Sequence, residues 1–304
     1  MNWLLVAITA HFINSIVFVI DKYILSKTPL KPAAYAFYVG LLGGLMVLIL
    51  IPFGFNLIPL SQILISFLSG ALFIFAILNF YKSIQFGEVS KVAPVVGGAI
   101  PVFTLFLTYF FLGERLSFEQ LIAFAVLVLG GAIIVWPRGK HTSSSQIDSL
   151  LTKRLPRALL AAFFFAASFV TTKYIFSLQP FISGFIWIRL GGILGAGIIF
   201  LLPGVRQTIF KSSRRVEVKT GLLAFLSKSL SVGGFVLLNY AIFLGSVSLV
   251  NALQGVQYVF LLILGIFLSR KFPQIVREQI SQGVIIQKVI AIVLISIGLV
   301  ILIL

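Results

Sequence analysis

Cysteine is absent from the 304-residue chain, and it holds only seven acidic residues and two histidines. The absence of cysteine excludes disulfide frameworks, thiol nucleophiles and thiolate metal sites. So few carboxylates and imidazoles leave no paired acids for catalysis and no convincing set of metal ligands. We therefore predict no enzymatic activity, no bound metal and no cofactor.

Charge of either sign is also scarce, at 10% of the residues, whereas 60% are hydrophobic and the mean hydropathy is +1.16. A soluble domain of this size needs more charge to cover its surface. A helix that crosses the hydrocarbon layer, ~30 Å thick, needs roughly 20 apolar residues. Many such runs follow one another here, and the first, which begins at Trp3, is interpreted as a retained span and not a signal peptide. These patterns predict an all-α membrane protein.

Ten apolar segments are bounded by proline, glycine and charge. In the first half they are expected at 3–24, 33–54, 61–82, 90–112 and 118–136. In the second half they are expected at 157–178, 181–203, 218–243, 247–268 and 285–304. A polar linker, 137–156, separates the two units 1–136 and 157–304.

The two halves repeat each other in sequence. Lys22 and its neighbours recur around Lys173, an offset of 151, and Gly87 with its neighbours recurs around Gly245, an offset of 158. Paired glycines that predict close packing of the second and seventh segments recur as well: Gly40, Gly44, Gly191 and Gly195. Because each half has an odd number of helices, the second copy enters the membrane upside down. The sequence therefore predicts two inverted five-helix repeats.

The formal net charge of +16 falls largely in loops on one predicted side of the membrane. The loop after the first segment carries Lys27 and Lys31, and the loop at 206–219 is rich in Lys and Arg, whereas 54–61 and 178–183 carry no charge. The positive-inside rule makes the basic side cytoplasmic and places both termini outside. This distribution argues against nucleic-acid binding, and we expect a multi-pass protein of a prokaryotic plasma membrane.

The end of the first half carries a recognisable series of residues. Pro101 lies in a glycine-bearing fourth segment, the run Gly113-Glu114-Arg115-Leu116 follows, and Gly130 and Gly131 lie in the fifth segment. This series resembles the EamA domain of the drug/metabolite transporter superfamily. The resemblance implies a ten-helix carrier of metabolites or drugs with a cavity between its halves. Two departures are that Ser269-Arg270-Lys271 replaces the second Gly-Glu turn, and that family members usually keep both termini in the cytoplasm.

Two basic residues fall deep inside predicted spans. Arg189 is about eight residues into the seventh and Lys228 about ten into the eighth, which at 1.5 Å per residue is roughly 12–15 Å deep. Each charge costs at least ~2.5 kcal/mol in lipid and must face protein or water. No embedded carboxylate is expected to neutralise them, since every acidic residue falls at a helix end or in a loop. Both are candidates for binding an anionic group; the alternative is bonding to carbonyls or snorkelling, and the resemblance favours a structural role for Arg189.

Polar side chains also mark the first and ninth segments. Asn251, Gln254 and Tyr258 share one helix face, which predicts either a cavity lining or interhelical hydrogen bonds. His11 and Asn14 lie one turn apart, and His11 either carries a coupled proton or, as we favour, stays neutral and hydrogen-bonded. The predicted solute site consists of Asn251, Gln254, Tyr258, Lys228, Arg189, His11 and Asn14.

Two further features bear on local structure. Pro94, Gly97 and Pro101 predict a kinked or locally unwound fourth helix. Lys22 and Lys173 lie near the ends of their helices, and we interpret them as extending their side chains to the lipid headgroups.

Together these features predict a secondary transporter that works by alternating access, with its site near the midplane between the halves. The basic bias of the site favours an anionic or zwitterionic metabolite such as an amino acid. The expected lack of an embedded acid argues against export of cationic drugs. The alternatives are a non-transporting membrane protein, such as a lipid-handling or assembly partner, and an exporter of drug-like compounds. The predicted partners are the solute and the lipid bilayer; a homodimer and the coupling ion are left open.

Overall fold

The computed structural model describes residues 2–27, 32–85, 89–135, 155–213, 218–271 and 282–303, and all their regular elements are helical. The first half forms α1 (Asn2–Lys27), α2 (Pro32–Leu50), α3 (Leu60–Gln85), α4 (Val89–Leu107) and α5 (Phe118–Val135). The second half forms α6 (Leu155–Leu178), α7 (Phe181–Leu201), α8 (Val205–Ser213), α9 (Val218–Leu244), α10 (Val247–Ala252), α11 (Gln254–Lys271) and α12 (Gln282–Ile303).

Within the described ranges, nine segments are long and apolar enough to cross a membrane. One of them, Val247–Leu268, combines α10 with most of α11, and a tenth apolar helix, Phe118–Ile134, is shorter. These segments coincide with the ten that the sequence predicts. The prediction of an all-α membrane fold is confirmed.

The structure departs from the predicted helices in three places. The basic helix α8 follows α7 where only a loop was expected, because it has no long apolar run to mark it. Leu253 interrupts the ninth span between α10 and α11. The fourth span is regular through Gly97 and Pro101, and its irregular part comes later, as a π-helical turn at Thr108–Leu112. Most of the predicted linker lies outside the described residues.

Helix contacts largely repeat when the two halves are exchanged. In the repeat, α6 corresponds to α1 and α9 to α3. Accordingly, α1 packs along α9 just as α6 packs along α3, and the matching pairs α2–α7 and α5–α12 pack on each other. This exchange supports the predicted inverted repeats, whose orientation in the membrane stays a prediction.

One helix pair breaks the exchange. The α3 helix packs along α7 over a long interface, but the corresponding helices α9 and α2 barely touch. The predicted close packing of α2 on α7 is confirmed at Gly40, where a Cβ would lie 2.7 Å from the Ala196 side chain of α7. Gly195 of α7 packs on α3 instead, since a Cβ there would lie 2.9 Å from Ala71. The two halves are thus packed tightly at α3–α7 and are open at α2–α9.

Candidate functional site

Arg189 of α7 lies in a cage of three phenylalanine rings. Its guanidinium carbon is 4.0 Å from the centre of the Phe235 ring, 5.1 Å from Phe185 and 5.5 Å from Phe73. A glycine of α2, Gly43, provides the space beside it, since a Cβ there would lie 3.3 Å from Nη1 of Arg189. Helices α2 and α3 of the first half and α7 and α9 of the second therefore surround this one charge.

No carboxylate accompanies this guanidinium in the described part of the chain. Its Nε is buried and has no hydrogen-bond partner there. Each ring face contributes roughly 0.5–2 kcal/mol of attraction to a cation, but rings accept no in-plane N–H bonds as a carboxylate does. Among the described residues, this buried N–H donor therefore has no acceptor, and an anionic ligand could supply one.

Lys228 of α9 behaves differently, because it has a partner. Its Nζ lies 2.5 Å from Oδ2 of Asp21 on α1 and also donates to the Tyr35 hydroxyl on α2. The two charged side chains are only 18% and 14% exposed. The expectation that no embedded carboxylate could neutralise Lys228 is therefore wrong: Asp21 is near the end of a span in sequence, but it points inward between helices.

Asp21 accepts hydrogen bonds from two neighbouring helices, α2 and α9. The Tyr35 hydroxyl donates to its Oδ2 at 2.6 Å, and the Ser227 hydroxyl of α9 donates to its Oδ1 at 2.8 Å. The Tyr81 ring of α3 packs against Tyr35 with 4.3 Å between ring centres. Sequence reasoning missed this cluster because its members are far apart in the chain and meet only when α1 packs on α9.

The polar residues of the ninth span contact helices of the first half. Asn251, which is buried, donates to the Thr104 hydroxyl of α4 at 3.2 Å. The Tyr258 hydroxyl is in contact with Gly97 of α4, and Gln254 is half-buried. For Asn251 the structure therefore shows an interhelical hydrogen bond, the alternative to a cavity lining.

The predicted residues of α1 are also in helix interfaces. The His11 imidazole is buried, with Nδ1 3.2 Å from the Gln257 side-chain oxygen and Nε2 3.4 Å from the Val250 carbonyl. Asn14 packs against Gly234 of α9, where a Cβ would lie 2.5 Å from its Oδ1. A hydrogen-bonded His11 joining α1 to the ninth span agrees with the favoured interpretation of that residue.

A cavity of about 490 Å³ opens at one end of the helix bundle, lined by residues of both halves. Its wall includes Glu114, which follows α4, and Lys173 of α6. Lys173 donates to the carbonyls of Ile242 and Gly245 at 2.9 and 2.7 Å and to that of Phe243 at 3.3 Å. The interpretation that Lys173 reaches the headgroups is therefore wrong, because it caps the last turn of α9. The side chain of Lys22 lies outside the described residues.

The predicted solute site is thus separated into parts. Arg189 stands in its aromatic cage, Lys228 is paired with Asp21, and the remaining residues lie where α1, α4 and α9 contact their neighbours: Asn251, Gln254, Tyr258, His11 and Asn14. The aromatic cage was not predicted, since phenylalanines are frequent in every span and carry no signal of their own.

Comparison with known proteins agrees with this architecture. Residues 1–136 match the model of the EamA-like transporter family. None of the curated proteins compared with the chain matches it. Among 23 matching chains of solved structures, one described only as the crystal structure of a protein has a TM-score of 0.71 and 15% sequence identity, over 99% of this chain and 98% of that one. At this identity the likeness shows the fold alone. The first 136 residues are thus similar to a family of membrane transporters.

Proposed function

We propose that the protein carries a small organic anion or zwitterion across the membrane by alternating access, and that Arg189 binds the carboxylate of the solute. The observation that carries this proposal is the buried guanidinium with no acidic partner among the described residues. A buried charge in that position costs free energy unless a group of opposite charge pairs with it. A carboxylate does so best, because it matches the planar fork of donors in a bidentate pair.

The surroundings of Arg189 fit the rest of such a solute. Phe73, Phe185 and Phe235 offer apolar ring faces to a carbon skeleton. The four helices around the guanidinium come from both halves, as a site must if each half is to move relative to the other around it. The cavity at Glu114 and Lys173 is proposed to be a vestibule at one end of the path.

Transport by proteoliposomes tests this proposal. Purified protein is reconstituted and assayed by counterflow with amino acids, dicarboxylates, sugar phosphates and organic cations, after a thermal-shift screen of the same compounds. We expect carboxylated solutes to be transported. The Arg189→Gln variant should lose about 10–100-fold in apparent affinity, because a charge-assisted bond contributes roughly 1.5–3 kcal/mol.

Arg206→Gln is the matched control. Arg206 is an exposed arginine whose guanidinium stacks on Phe200 at 5.5 Å, so it has the same chemistry away from the cage. Its replacement should leave the affinity unchanged. Equal transport by wild type and Arg189→Gln, in samples that purify equally well, would contradict the proposed role of Arg189.

The position of Asp21 favours one alternative function, the export of drug-like cations. The sequence argument against cationic drugs rests on the lack of an embedded acid, but Asp21 is embedded. An exporter of drug-like cations would use this carboxylate in exchange for the Lys228 ammonium. Movement of organic cations with carboxylates ignored would establish that function in place of ours.

The membrane orientation is part of the proposal. The distribution of Lys and Arg places both termini outside, whereas the family resemblance implies the cytoplasm. A reporter fused after Leu304 should therefore be active outside the cell. Activity on the cytoplasmic side would reverse the orientation without affecting the solute site.

A further inference from the structure

Asp21 and Lys228 occupy positions whose repeat counterparts are known from the sequence offsets. Asp21 corresponds to Thr172 at the offset of 151, and Ser227 corresponds to Ser69 at the offset of 158. The structure preserves this correspondence: the Ser69 and Thr172 hydroxyls are hydrogen-bonded at 2.8 Å, just as Ser227 is bonded to Asp21 at 2.8 Å. One contact is neutral and its copy carries a charge.

Lys228 has the smallest possible counterpart, Gly70. A Cβ at Gly70 would lie 2.6 Å from the backbone carbon of Gly191 and would also collide with the backbone at Ile188 and Gly192. The α3 and α7 backbones are therefore in direct contact at this level. At the same level of the other half, the Lys228 side chain extends from α9 towards Tyr35 of α2, and the two helices barely touch.

The α3–α7 and α2–α9 pairs thus resemble a closed and an open state of the same kind of interface. For α9 to approach α2 as closely as α3 approaches α7, the Lys228 side chain has to leave the gap. Its departure leaves the buried Asp21 carboxylate without a positively charged partner, and breaking a buried ion pair in this way costs several kcal/mol. A proton on Asp21 removes that cost, because the neutral acid is then a hydroxyl-bearing partner for Ser227, as Thr172 is for Ser69.

We propose that Asp21 is a proton-coupling site: a proton from water binds the carboxylate as Lys228 withdraws, and α9 then closes on α2. This inference deepens the proposed carrier function and rests on it, since it identifies the coupling ion as H⁺. Among the described residues, the titratable groups that face Asp21 are Tyr35 on α2, Tyr81 on α3 and Lys228 on α9. His11, also on α1, is about 15 Å from Asp21 along the helix.

The cysteine-free chain allows a direct test by spin labelling. One pair, Leu41→Cys with Leu226→Cys, measures α2–α9, and a second pair, Leu68→Cys with Leu194→Cys, measures α3–α7. All four leucines are exposed on the helix surface. Distances are measured by double electron–electron resonance in lipid nanodiscs without solute, between about pH 8 and about pH 5. This range includes the pH at which an ordinary histidine titrates and approaches that of an ordinary aspartate.

In the protein without further substitutions, we expect acidification to increase the population with the short α2–α9 distance relative to the population with the long one. The ratio should change by up to tenfold per pH unit, the limit for one linked proton. With Asp21→Asn the short distance should predominate at both pH values. The double variant Asp21→Thr with Lys228→Gly, which copies Thr172 and Gly70, should behave in the same way and serves if Asp21→Asn does not purify.

Three results would overturn the proposal: distances that ignore pH, an Asp21→Asn protein that responds as the parent does, or a response lost on His11→Gln, which would assign the proton to the imidazole. The measurement uses no solute. A protein that transports no carboxylate but shows these distances contradicts the proposed function alone, whereas transport with pH-insensitive distances contradicts the coupling site alone.

Discussion

The α3–α7 and α2–α9 interfaces occupy corresponding positions of the two halves, yet one is closed and the other is open. At the closed interface Gly70 brings two backbones together, and the neighbouring Ser69 and Thr172 share a neutral hydrogen bond. At the open interface Lys228 and Asp21 form an ion pair in the same place. The comparison teaches that a duplicated fold can encode its asymmetry in a few side chains while the helices and their order remain alike.

The largest effect is expected at the charged interface. Lys228→Met removes the partner of Asp21 and should lower the free energy of unfolding by about 3 kcal/mol at about pH 8. The loss should shrink on acidification, because a proton then neutralises the stranded carboxylate. The double variant Asp21→Asn with Lys228→Met should recover most of the loss, since no unpaired charge is left.

Unfolding of the detergent-purified proteins by heat, compared across the four members of this double-mutant cycle, gives the coupling energy. Additive losses from the two single variants would mean that Asp21 and Lys228 do not depend on each other, and the contrast between the two interfaces would then be one of shape alone.

A somewhat smaller effect is expected at the closed interface. Gly70→Ala places a methyl group against the α7 backbone and should cost about 2 kcal/mol, because neither helix can yield by moving a side chain. Gly98→Ala in α4 is the control, since no atom lies within 4 Å of a Cβ there. In thermal unfolding, Gly98→Ala should be neutral or stabilising by up to about 1 kcal/mol. Equal behaviour of the two variants would show that α3 and α7 are not in backbone contact.

The smallest effect is expected for the neutral counterpart of the ion pair. Ser69→Ala removes the hydrogen bonds to the Thr172 hydroxyl and the Ser168 carbonyl and should cost only about 1 kcal/mol, at about 0.6 kcal/mol for each interhelical bond in a membrane. The cost should be the same at both pH values, because no charge is involved. A pH-dependent loss in the melting temperature of this variant would remove the distinction between the two interfaces.

Sequence reasoning located the spans well because each needs a long apolar run, which is visible in one dimension: the segment expected at 61–82 is α3, Leu60–Gln85. It missed α8, which is short and basic, and the interruption at Leu253, which no proline or glycine marks. Such features depend on packing between helices.

The site was harder to predict for the same reason. The depth of Arg189 and Lys228 could be counted along each helix, but their partners could not, since Asp21 meets Lys228 only through the packing of α1 on α9. The cage around Arg189 draws its rings from three helices. For Asn251 the sequence left a cavity lining and an interhelical hydrogen bond open, and the structure shows a bond to Thr104.

We propose that a solute bound at Arg189 drives an exchange between the open and closed interfaces. The most direct test is to measure both spin-label pairs in one preparation, with and without the best carboxylated solute from the counterflow assay. We expect the solute to shorten the α2–α9 distance and to lengthen the α3–α7 distance, and Arg189→Gln to abolish both changes. Two distances that stay fixed, or that change in the same direction, in protein that binds the solute would contradict it.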